Sequence, residues 1–471
     1  MVFSSVFFLL FFLPLFFIVY YLLPNKWKNS WLLLASILFY AWGAPTFVFI
    51  LLASTIIDYH LVRYMAKAEG KSRKLFLTAS ISLNLGLLAY FKYANFFVEN
   101  FNLALNSIGF EALSWTAVVL PIGISFYTFQ TLSYAIDIYR REQEPLDRLG
   151  DYLMYIMMFP QLIAGPIVRY GEIASQIRNR KASADDRVIG LFRFSIGLAK
   201  KVLIANVLGN FVDFYMLKVA VEDLSSFQAW MVILGYTFQI YFDFSAYSDM
   251  AIGMGRMMGF TFPENFNFPY ISKSITEFWR RWHMTLGSWM RDYLYIPLGG
   301  NRVARRRMYI NLALVFVLSG LWHGASWNFV LWGAFHGLFL ILDRLFLKKA
   351  LDRIGILAVP VTFFITVIGW SLFRVENIDH AFLFISKLLE FDFSLSYGLS
   401  SDYVYMLWLA VALSIYPLVP KLKELNLFWY ESKQLSIVQT TLFCLIAVVL
   451  LFISASHLVA GDFNPFIYFR F

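Results

Sequence analysis

Six histidines are the side chains of this sequence best suited to acid–base chemistry, and His323 stands out among them. It lies in LVFVLSGLWHGASWNFVLWGAFHG, a stretch that contains no charged residue. An imidazole in such surroundings can be neutral and still accept a proton, which suits a general base. Gly320 and Gly324 flank His323, and their missing side chains predict that a substrate chain approaches it closely. The alternative is a buried histidine bonded to a neighbouring helix.

The other histidines are weaker candidates. His336, in FHG, fits a second base or, better, a packing residue between helices. His283 follows Trp282 and fits either a catalytic partner or an anchor at the membrane edge. The spacing of His323 and His336 is not the i, i+4 spacing of a helical metal pair, so no metal site is predicted. A G-x-x-x-x-G-K-[ST] loop and a G-x-S-x-G elbow are both missing from the sequence, so ATP-driven transport and α/β-hydrolase chemistry lack support.

Two further sets of residues could bind or accept a substrate. Arg280, Arg281 and Arg291 could bind the phosphates of an anionic cosubstrate, because guanidinium groups donate paired hydrogen bonds. The alternative for each arginine is topology determination and contact with anionic lipid. Tyr468 lies in the terminal PFIYFRF. Its phenol could accept an acyl group if a base takes the proton, whereas the simpler interpretation is an aromatic residue of the membrane interface.

The elements that position these residues are helices in a membrane. Hydrophobic residues make up 60% of the 471 residues and charged residues only 15%, whereas about a quarter of an average soluble protein is charged. A soluble core could not bury so much apolar surface, so lipid must cover the rest. Lys+Arg (39) exceed Asp+Glu (30), which gives a formal charge of +9. The basic residues lie in short connections, which favours contact with membrane lipids over nucleic acid binding.

Several apolar runs approach the roughly 20 residues that a helix needs to cross the hydrocarbon layer. Together with shorter segments they predict an all-α polytopic protein, with one integral membrane domain over residues 1–471 and about 10–12 membrane segments. The run 308–347 is long enough for two helices hinged near Gly324, and residues 152–168 predict a broken or re-entrant segment. The runs are 3–23, 31–57, 75–98, 113–138, 188–217, 226–254, 308–347, 355–373, 403–420 and 437–457.

The stretch 256–307 is aromatic, basic and rich in Gly and Pro. It predicts short amphipathic helices and loops at the cytoplasmic face, with Ser274 and Glu277 as a capping box and Asn265 as a turn former. The positive-inside rule places this stretch and the two earlier basic connections in the cytoplasm. The aromatic tail 463–471 is then extracytoplasmic.

Motifs along nearly the whole chain resemble those of the membrane-bound O-acyltransferase family. The resemblance is closest to its bacterial alginate O-acetyltransferase AlgI-like branch, with the teichoic acid D-alanylation protein DltB as a more distant cousin. Each motif is only moderately specific, but their order along the chain is highly specific. The motifs include LPIGISFYTFQTLSYAIDIYR, FPQLIAGPIVRY, YFDFSAYSDMAIGMGRMMGF, FWRRWHMTLGSWMRDYLYIPLGGNR and SGLWHGASWNFVLWGAFHG.

The resemblance implies a fold and a set of roles. The fold is a helical bundle with re-entrant and short helices around a central tunnel, in a bacterial inner membrane. The family's catalytic histidine corresponds to His323, its second functional position to His283, and the tyrosine that accepts the acyl group in related systems to Tyr468. The implied donor is acetyl-CoA or another acyl thioester, with no bound cofactor. The implied partners are an extracytoplasmic acetyltransferase of the SGNH type and a polysaccharide acceptor such as alginate or peptidoglycan.

Three alternatives remain open from the sequence. D-alanyl transfer to teichoic acid is the nearest of them. A secondary transporter or flippase would also have many spans and broken segments, but it predicts two similar halves, and the sequence shows none. A non-catalytic scaffold that recruits an extracytoplasmic enzyme would tolerate any residue at His323.

Overall fold

The computed structural model describes residues 1–392, 394, 398–422, 424, 434–461 and 466–467. Every regular element within these residues is helical, which confirms the all-α prediction. Five helical stretches are long and apolar enough to cross a membrane, as expected of a multi-pass membrane protein. They are Phe47–Lys67, Gly70–Ser107, Trp327–Arg374, Ser401–Leu418 and Ile437–Ala460. The count of 10–12 membrane segments stays a prediction.

The chain divides into two compact units, of which the first comprises residues 1–181 and 260–262. Several of its buried polar groups converge on Asp58 in the third helix. Asp58 accepts hydrogen bonds from Ser80 and Asn84 on one carboxylate oxygen and from Tyr152 on the other, at 2.5–2.8 Å. The helices of this unit are α1 Leu13–Leu22, α2 Asn25–Gly43, α3 Phe47–Lys67, α4 Gly70–Leu88, α5 Ala94–Ser107, α6 Ile124–Arg140, α7 Leu149–Met157, α8 Phe159–Leu162 and α9 Tyr170–Arg178.

The second unit comprises residues 182–259 and 263–471, and it contains all the histidine candidates for catalysis. Its long helix α12 carries buried polar residues along its length, in contrast to an ordinary lipid-facing helix. The helices are α10 Ala184–Ala199, α11 Asn206–Lys218, α12 Ser226–Met258, α13 Ile275–Arg281, α14 Met284–Met290, α15 Arg305–His323, α16 Trp327–Leu342, α17 Lys348–Ile354, α18 Ala358–Arg374, α19 Ile378–Lys387, α20 Ser401–Ile415 and α21 Ile437–Ala460.

Helices α10 and α12 cross with their backbones in contact. A Cβ atom built on Gly253 would lie 2.5 Å from the carbonyl oxygen of Gly190, and one on Gly190 would lie 2.6 Å from the carbonyl oxygen of Gly253. Small residues at such a crossing allow close packing, which is a usual source of stability between membrane helices. The crossing fixes the position of α12, whose middle and C-terminal half contribute to the candidate site.

The run 308–347 forms two helices, α15 and α16, with a break at Gly324, as predicted. The expectation that Gly320 and Gly324 open space for a substrate is wrong. A Cβ on Gly320 would lie 2.1 Å from the carbonyl oxygen of Phe329, and one on Gly324 would overlap the Phe329 ring. The two glycines therefore allow α16 to fold back closely onto α15.

Other local predictions had mixed outcomes. The break in 152–168 is confirmed, because α7 ends at Met157 and only the short α8 follows before an irregular segment. The run 113–138 is helical only from Ile124, since residues 110–121 have no regular structure. Ser274 caps α13 by accepting from the N–H of Glu277. Glu277 itself accepts from Lys273 N–H, so the capping box is only half formed.

Candidate active site

His323 is the last residue of α15, and its side chain is buried at 4% exposure. Three aromatic rings surround it edge-on: Trp322, Trp332 of α16 and Phe373 of α18, with centroid distances of 4.9, 5.2 and 5.4 Å. Helix α15 ends at His323, so no further turn of this helix follows it. The three rings form an aromatic wall without formal charge around the imidazole.

His283 is buried at 1% exposure, directly before α14. Its φ of 44° is left-handed, a conformation that costs a residue other than glycine about 1 kcal/mol or more and that clusters at functional sites. Its ring lies 6.1 Å from that of Trp322, which also contacts His323. The fold therefore brings the two predicted catalytic histidines to a shared aromatic neighbour.

Asn265 determines which nitrogen of His283 carries the proton. Its Oδ1 accepts from the backbone N–H of Thr285 at 3.3 Å and from the Thr285 hydroxyl at 2.9 Å. A backbone N–H can only donate, so this atom is the amide oxygen. The same oxygen lies 3.0 Å from Nδ1 of His283, so Nδ1 must carry the proton. Nε2 is then the basic nitrogen of the ring.

Burial lowers the pKa of the His283 imidazole to about 3. The side chain is therefore neutral at pH 7, and the Asn265 contact selects one of the two neutral tautomers. A neutral imidazole with a defined basic nitrogen can accept a proton or a hydrogen bond from a substrate hydroxyl.

Ion pairs and a hydrogen bond attach the loop that carries Asn265 to neighbouring helices. The neighbouring Glu264 pairs with Arg193 of α10 at 2.5 Å, and Arg193 also pairs with Asp249 of α12 at 2.9 Å. Asn265 donates from Nδ2 to Ser248 of α12 at 3.1 Å. The loop is thus tied to two helices, which holds the His283 contact in place.

Trp332 places a hydrogen-bond donor beside His323. Its ring is 1% exposed, and its indole N–H has no hydrogen-bond partner among the residues that the structure describes. Buried donors are nearly always satisfied in native proteins, so such a group calls for an explanation. A carbonyl oxygen of a substrate would satisfy it.

His336 takes the packing role that its sequence context favours. It is fully buried among Trp279, Trp332 and Phe335, with ring centroids 5.0–5.3 Å away. Within the described part of the chain neither ring nitrogen has a hydrogen-bond partner. Nothing in this arrangement orients His336 toward a reaction.

The three candidate phosphate-binding arginines differ in their surroundings. Arg281 binds Glu277 at 2.8 Å and the carbonyl oxygen of Asn267 at 3.0 Å. Arg291 is exposed and pairs with the adjacent Asp292 at 2.6 Å. Arg280 is exposed. Arg281 and Arg291 would therefore exchange or share existing partners on binding a phosphate.

Tyr468 lies outside the described residues, but Phe466 and Ile467 before it are described and buried. The Phe466 ring lies 5.9 Å from Phe244, and Phe244 lies 4.7 Å from His283. The C-terminal segment thus reaches the aromatic surroundings of His283.

Sequence reasoning missed Asn265 and Trp332, and also Asp243, a buried carboxylate of α12 that accepts from the backbone N–H of Ile467 at 2.7 Å. Asn265 was assigned only to a turn, and Trp332 is one of many tryptophans. The available signal was a carboxylate such as Asp243 inside a long apolar run, since ionisable groups at membrane depth are costly. In the described ranges, no three His, Cys, Asp or Glu residues are grouped to hold a metal ion.

Comparison with known proteins identifies the family of this chain. The model of the membrane-bound O-acyltransferase family (MBOAT) matches residues 10–374. The chain is 42% identical to a probable alginate O-acetylase AlgI of Azotobacter vinelandii, over the full length of both chains. It is 38% identical to a peptidoglycan O-acetyltransferase of Helicobacter pylori, over 81% of this chain and 78% of the relative.

A teichoic acid D-alanyltransferase of Bacillus subtilis matches less of the chain. It is 31% identical over 55% of this chain and 70% of the relative. The family model covers most of the sequence and includes both His283 and His323. This chain therefore belongs to the membrane-bound O-acyltransferase family, and it is an O-acyltransferase.

Proposed function

We propose that this enzyme transfers an acetyl group from acetyl-CoA, across a bacterial inner membrane, for O-acetylation of an extracytoplasmic polysaccharide. The observation that carries the proposal is the pair of buried histidines, His283 and His323, that share the aromatic neighbour Trp322. The names of the relatives, which act on alginate or peptidoglycan, support a polysaccharide as the final acceptor.

The reaction needs a base for the acceptor hydroxyl, and His323 supplies it. Its imidazole takes the hydroxyl proton while the oxygen attacks the thioester carbonyl carbon. The tetrahedral intermediate collapses, the C–S bond breaks, and the imidazolium returns its proton to the leaving thiolate. The products are an O-acyl ester and a free thiol, and the histidine is regenerated. General base catalysis of this kind contributes about 10²- to 10⁴-fold.

Two neighbouring groups assist this step. The indole N–H of Trp332 donates to the carbonyl oxygen as negative charge develops there, which is worth more in a dry site than in water. His283, held as the Nδ1–H tautomer by Asn265, accepts a hydrogen bond at Nε2 from the acceptor hydroxyl and orients it.

The donor and the first acceptor approach from opposite sides. Arg280, Arg281 and Arg291 bind the phosphates of acetyl-CoA at the cytoplasmic face. Tyr468 of the C-terminal segment accepts the acetyl group first, and an SGNH-type partner enzyme then moves it to the polysaccharide. The proximity of Phe466 to Phe244, next to His283, supports this role for the tail.

Purified wild-type protein incubated with isotope-labelled acetyl-CoA tests the proposal. Free thiol is measured colorimetrically, and mass spectrometry locates the label on the C-terminal peptide. We expect thiol release and label on Tyr468. The matched control is Tyr468→Phe, which removes only the hydroxyl and should carry no label.

Thiol release without label on Tyr468 would exclude the tail as acceptor and leave the transferase intact. Failure to release thiol from acetyl-CoA, together with release from a D-alanyl carrier thioester, would replace acetyl transfer by D-alanyl transfer.

A further inference from the structure

The C-terminal segment is bound through its backbone to a buried carboxylate. The N–H of Ile467 donates to Oδ2 of Asp243 at 2.7 Å. Phe466 and Ile467 are 1% and 3% exposed, and Asp243 is 2% exposed. Hydrogen bonds to charged groups are about twice as strong as neutral ones, so this contact is stronger than ordinary packing of a chain end.

Asp243 divides its two oxygens between two partners. Oδ1 pairs with Nζ of Lys201 at 2.7 Å, and the two side chains are 2% and 4% exposed. Lys201 lies in the π-helical segment Lys200–Ala205, and such segments are frequent at functional sites. A buried ion pair is costly to desolvate and contributes little net stability. Its presence in the middle of α12 therefore needs a reason other than stability.

The aromatic contacts of the tail continue to the active site. Phe466 stacks on Tyr247 with centroids 4.7 Å apart and also approaches Phe244. The ring centroids of Phe244 and His283 are 4.7 Å apart. One helical turn of α12 contains Asp243, Phe244 and Tyr247. The same rigid turn therefore contacts both the tail and His283.

We infer that Asp243, Lys201, Phe244 and Tyr247 form a binding site for the chain's own C-terminal segment. Asp243 acts as a positioning residue: its Oδ2 accepts from the backbone N–H of Ile467, while Lys201 pairs with Oδ1 and orients the carboxylate. The site fixes the register of the tail beside His283. The tail held in this way delivers an acyl acceptor only if the proposed function is also correct.

Hydrogen–deuterium exchange of the full-length protein in detergent tests this site without any need for acyl transfer. The amide of Ile467 should exchange slowly in the wild type. In Asp243→Asn a single amide cannot offer oxygens to both Lys201 and the Ile467 N–H, because one of its two positions is now a donor. We expect exchange at Ile467 to become about tenfold to a hundredfold faster, as for loss of one hydrogen bond to a charged group.

Asp249→Asn is the matched control. Asp249 is the next carboxylate on α12 and is likewise buried and paired with a lysine, Lys200 at 2.6 Å. It pairs with Lys200 and Arg193, both of which lie outside the tail. A general loosening of α12 would accelerate Ile467 exchange in both variants, whereas a tail-binding role predicts acceleration only in Asp243→Asn.

Phe466→Ala provides a second test if Asp243→Asn does not fold. It leaves the Asp243–Lys201 pair in place and removes the ring that stacks on Tyr247, so exchange at Ile467 should again accelerate. Rapid exchange at Ile467 in the wild type, or equal rates in all three variants, would overturn the inference. A protected Ile467 combined with an unlabelled Tyr468 would instead keep the tail site and refute the acceptor role of Tyr468.

Discussion

The two units of the molecule bury polar groups in different ways. In the first unit Asp58 is surrounded by neutral donors, and both of its oxygens accept hydrogen bonds from Ser80, Asn84 and Tyr152. In the second unit His283 uses Nδ1 for Asn265, so that its basic nitrogen is Nε2, and His323 lies against aromatic rings. Both arrangements are buried, yet only the second defines a reactive atom.

The difference shows that burial of an ionisable group does not by itself identify an active site. A hydrogen-bond cluster such as that of Asp58 connects α3, α4 and α7, and both carboxylate oxygens are engaged by protein donors. A histidine with one fixed nitrogen and an apolar wall can still exchange a proton. The predictions below test this contrast between a structural cluster and a reactive one.

Replacement of His323 by alanine should have the largest effect. The variant loses the base for the acceptor hydroxyl, so we expect thiol release from acetyl-CoA to fall by about 10²- to 10⁴-fold. The fold should persist, because the change removes a single side chain at the C-terminal end of α15. Size-exclusion chromatography and thermal unfolding in detergent provide the control for folding.

Trp332→Phe should have the next largest effect. It keeps an aromatic ring beside His323 and removes the indole N–H. Loss of one donor to a developing oxyanion typically lowers kcat by about 10²- to 10³-fold. The measurement is kcat and KM for acetyl-CoA. A large rise in KM with unchanged kcat would show that Trp332 binds the donor and does not stabilise the transition state.

Asn265→Asp should change the pH profile of the reaction. Burial lowers the pKa of His283 to about 3, so in the wild type this imidazole is neutral throughout the physiological range and can orient the acceptor hydroxyl. A carboxylate at position 265 stabilises the imidazolium and raises the pKa of His283. The decrease of kcat/KM on the acid side of the pH profile, its acid limb, should therefore move to higher pH. Asn265→Ala adds no charge and should lower the rate without moving the limb, and equal profiles for both variants would refute the role of Asn265.

Asp58→Asn should have the smallest effect on catalysis. The amide cannot accept from Ser80, Asn84 and Tyr152 together, so we expect a loss of about 1–3 kcal/mol in the free energy of unfolding. The specific activity of the folded fraction should stay near that of the wild type. A selective loss of activity at unchanged stability would give the Asp58 cluster a functional role and break the contrast between the units.

Much of the fold could be predicted from the sequence because it depends on local patterns. Apolar runs mark the helices, Pro160 interrupts the segment after α7, and the glycine after His323 marks the break between α15 and α16. The roles of Gly320 and Gly324 could not be derived in this way. Their close approach to Phe329 depends on how α16 folds back onto α15, and that is a tertiary property.

The candidate site was predictable in part for the same reason. His323 is conspicuous because an imidazole is rare in so apolar a stretch. Asn265 and His283 are 18 residues apart in sequence, and Arg193 and Glu264 are 71 apart. Such pairs become visible only once the chain is folded, because no local pattern specifies which loop meets which helix.

The most direct test of the central claim compares two buried histidines in one assay. His323 and His336 both pack against Trp332, but only His323 is assigned a role in proton transfer. Thiol release from acetyl-CoA should fall by about 10²- to 10⁴-fold in His323→Ala and stay near the wild-type value in His336→Leu. Equal losses in the two variants, or near-normal activity of well-folded His323→Ala, would contradict the assignment of His323 as the catalytic base.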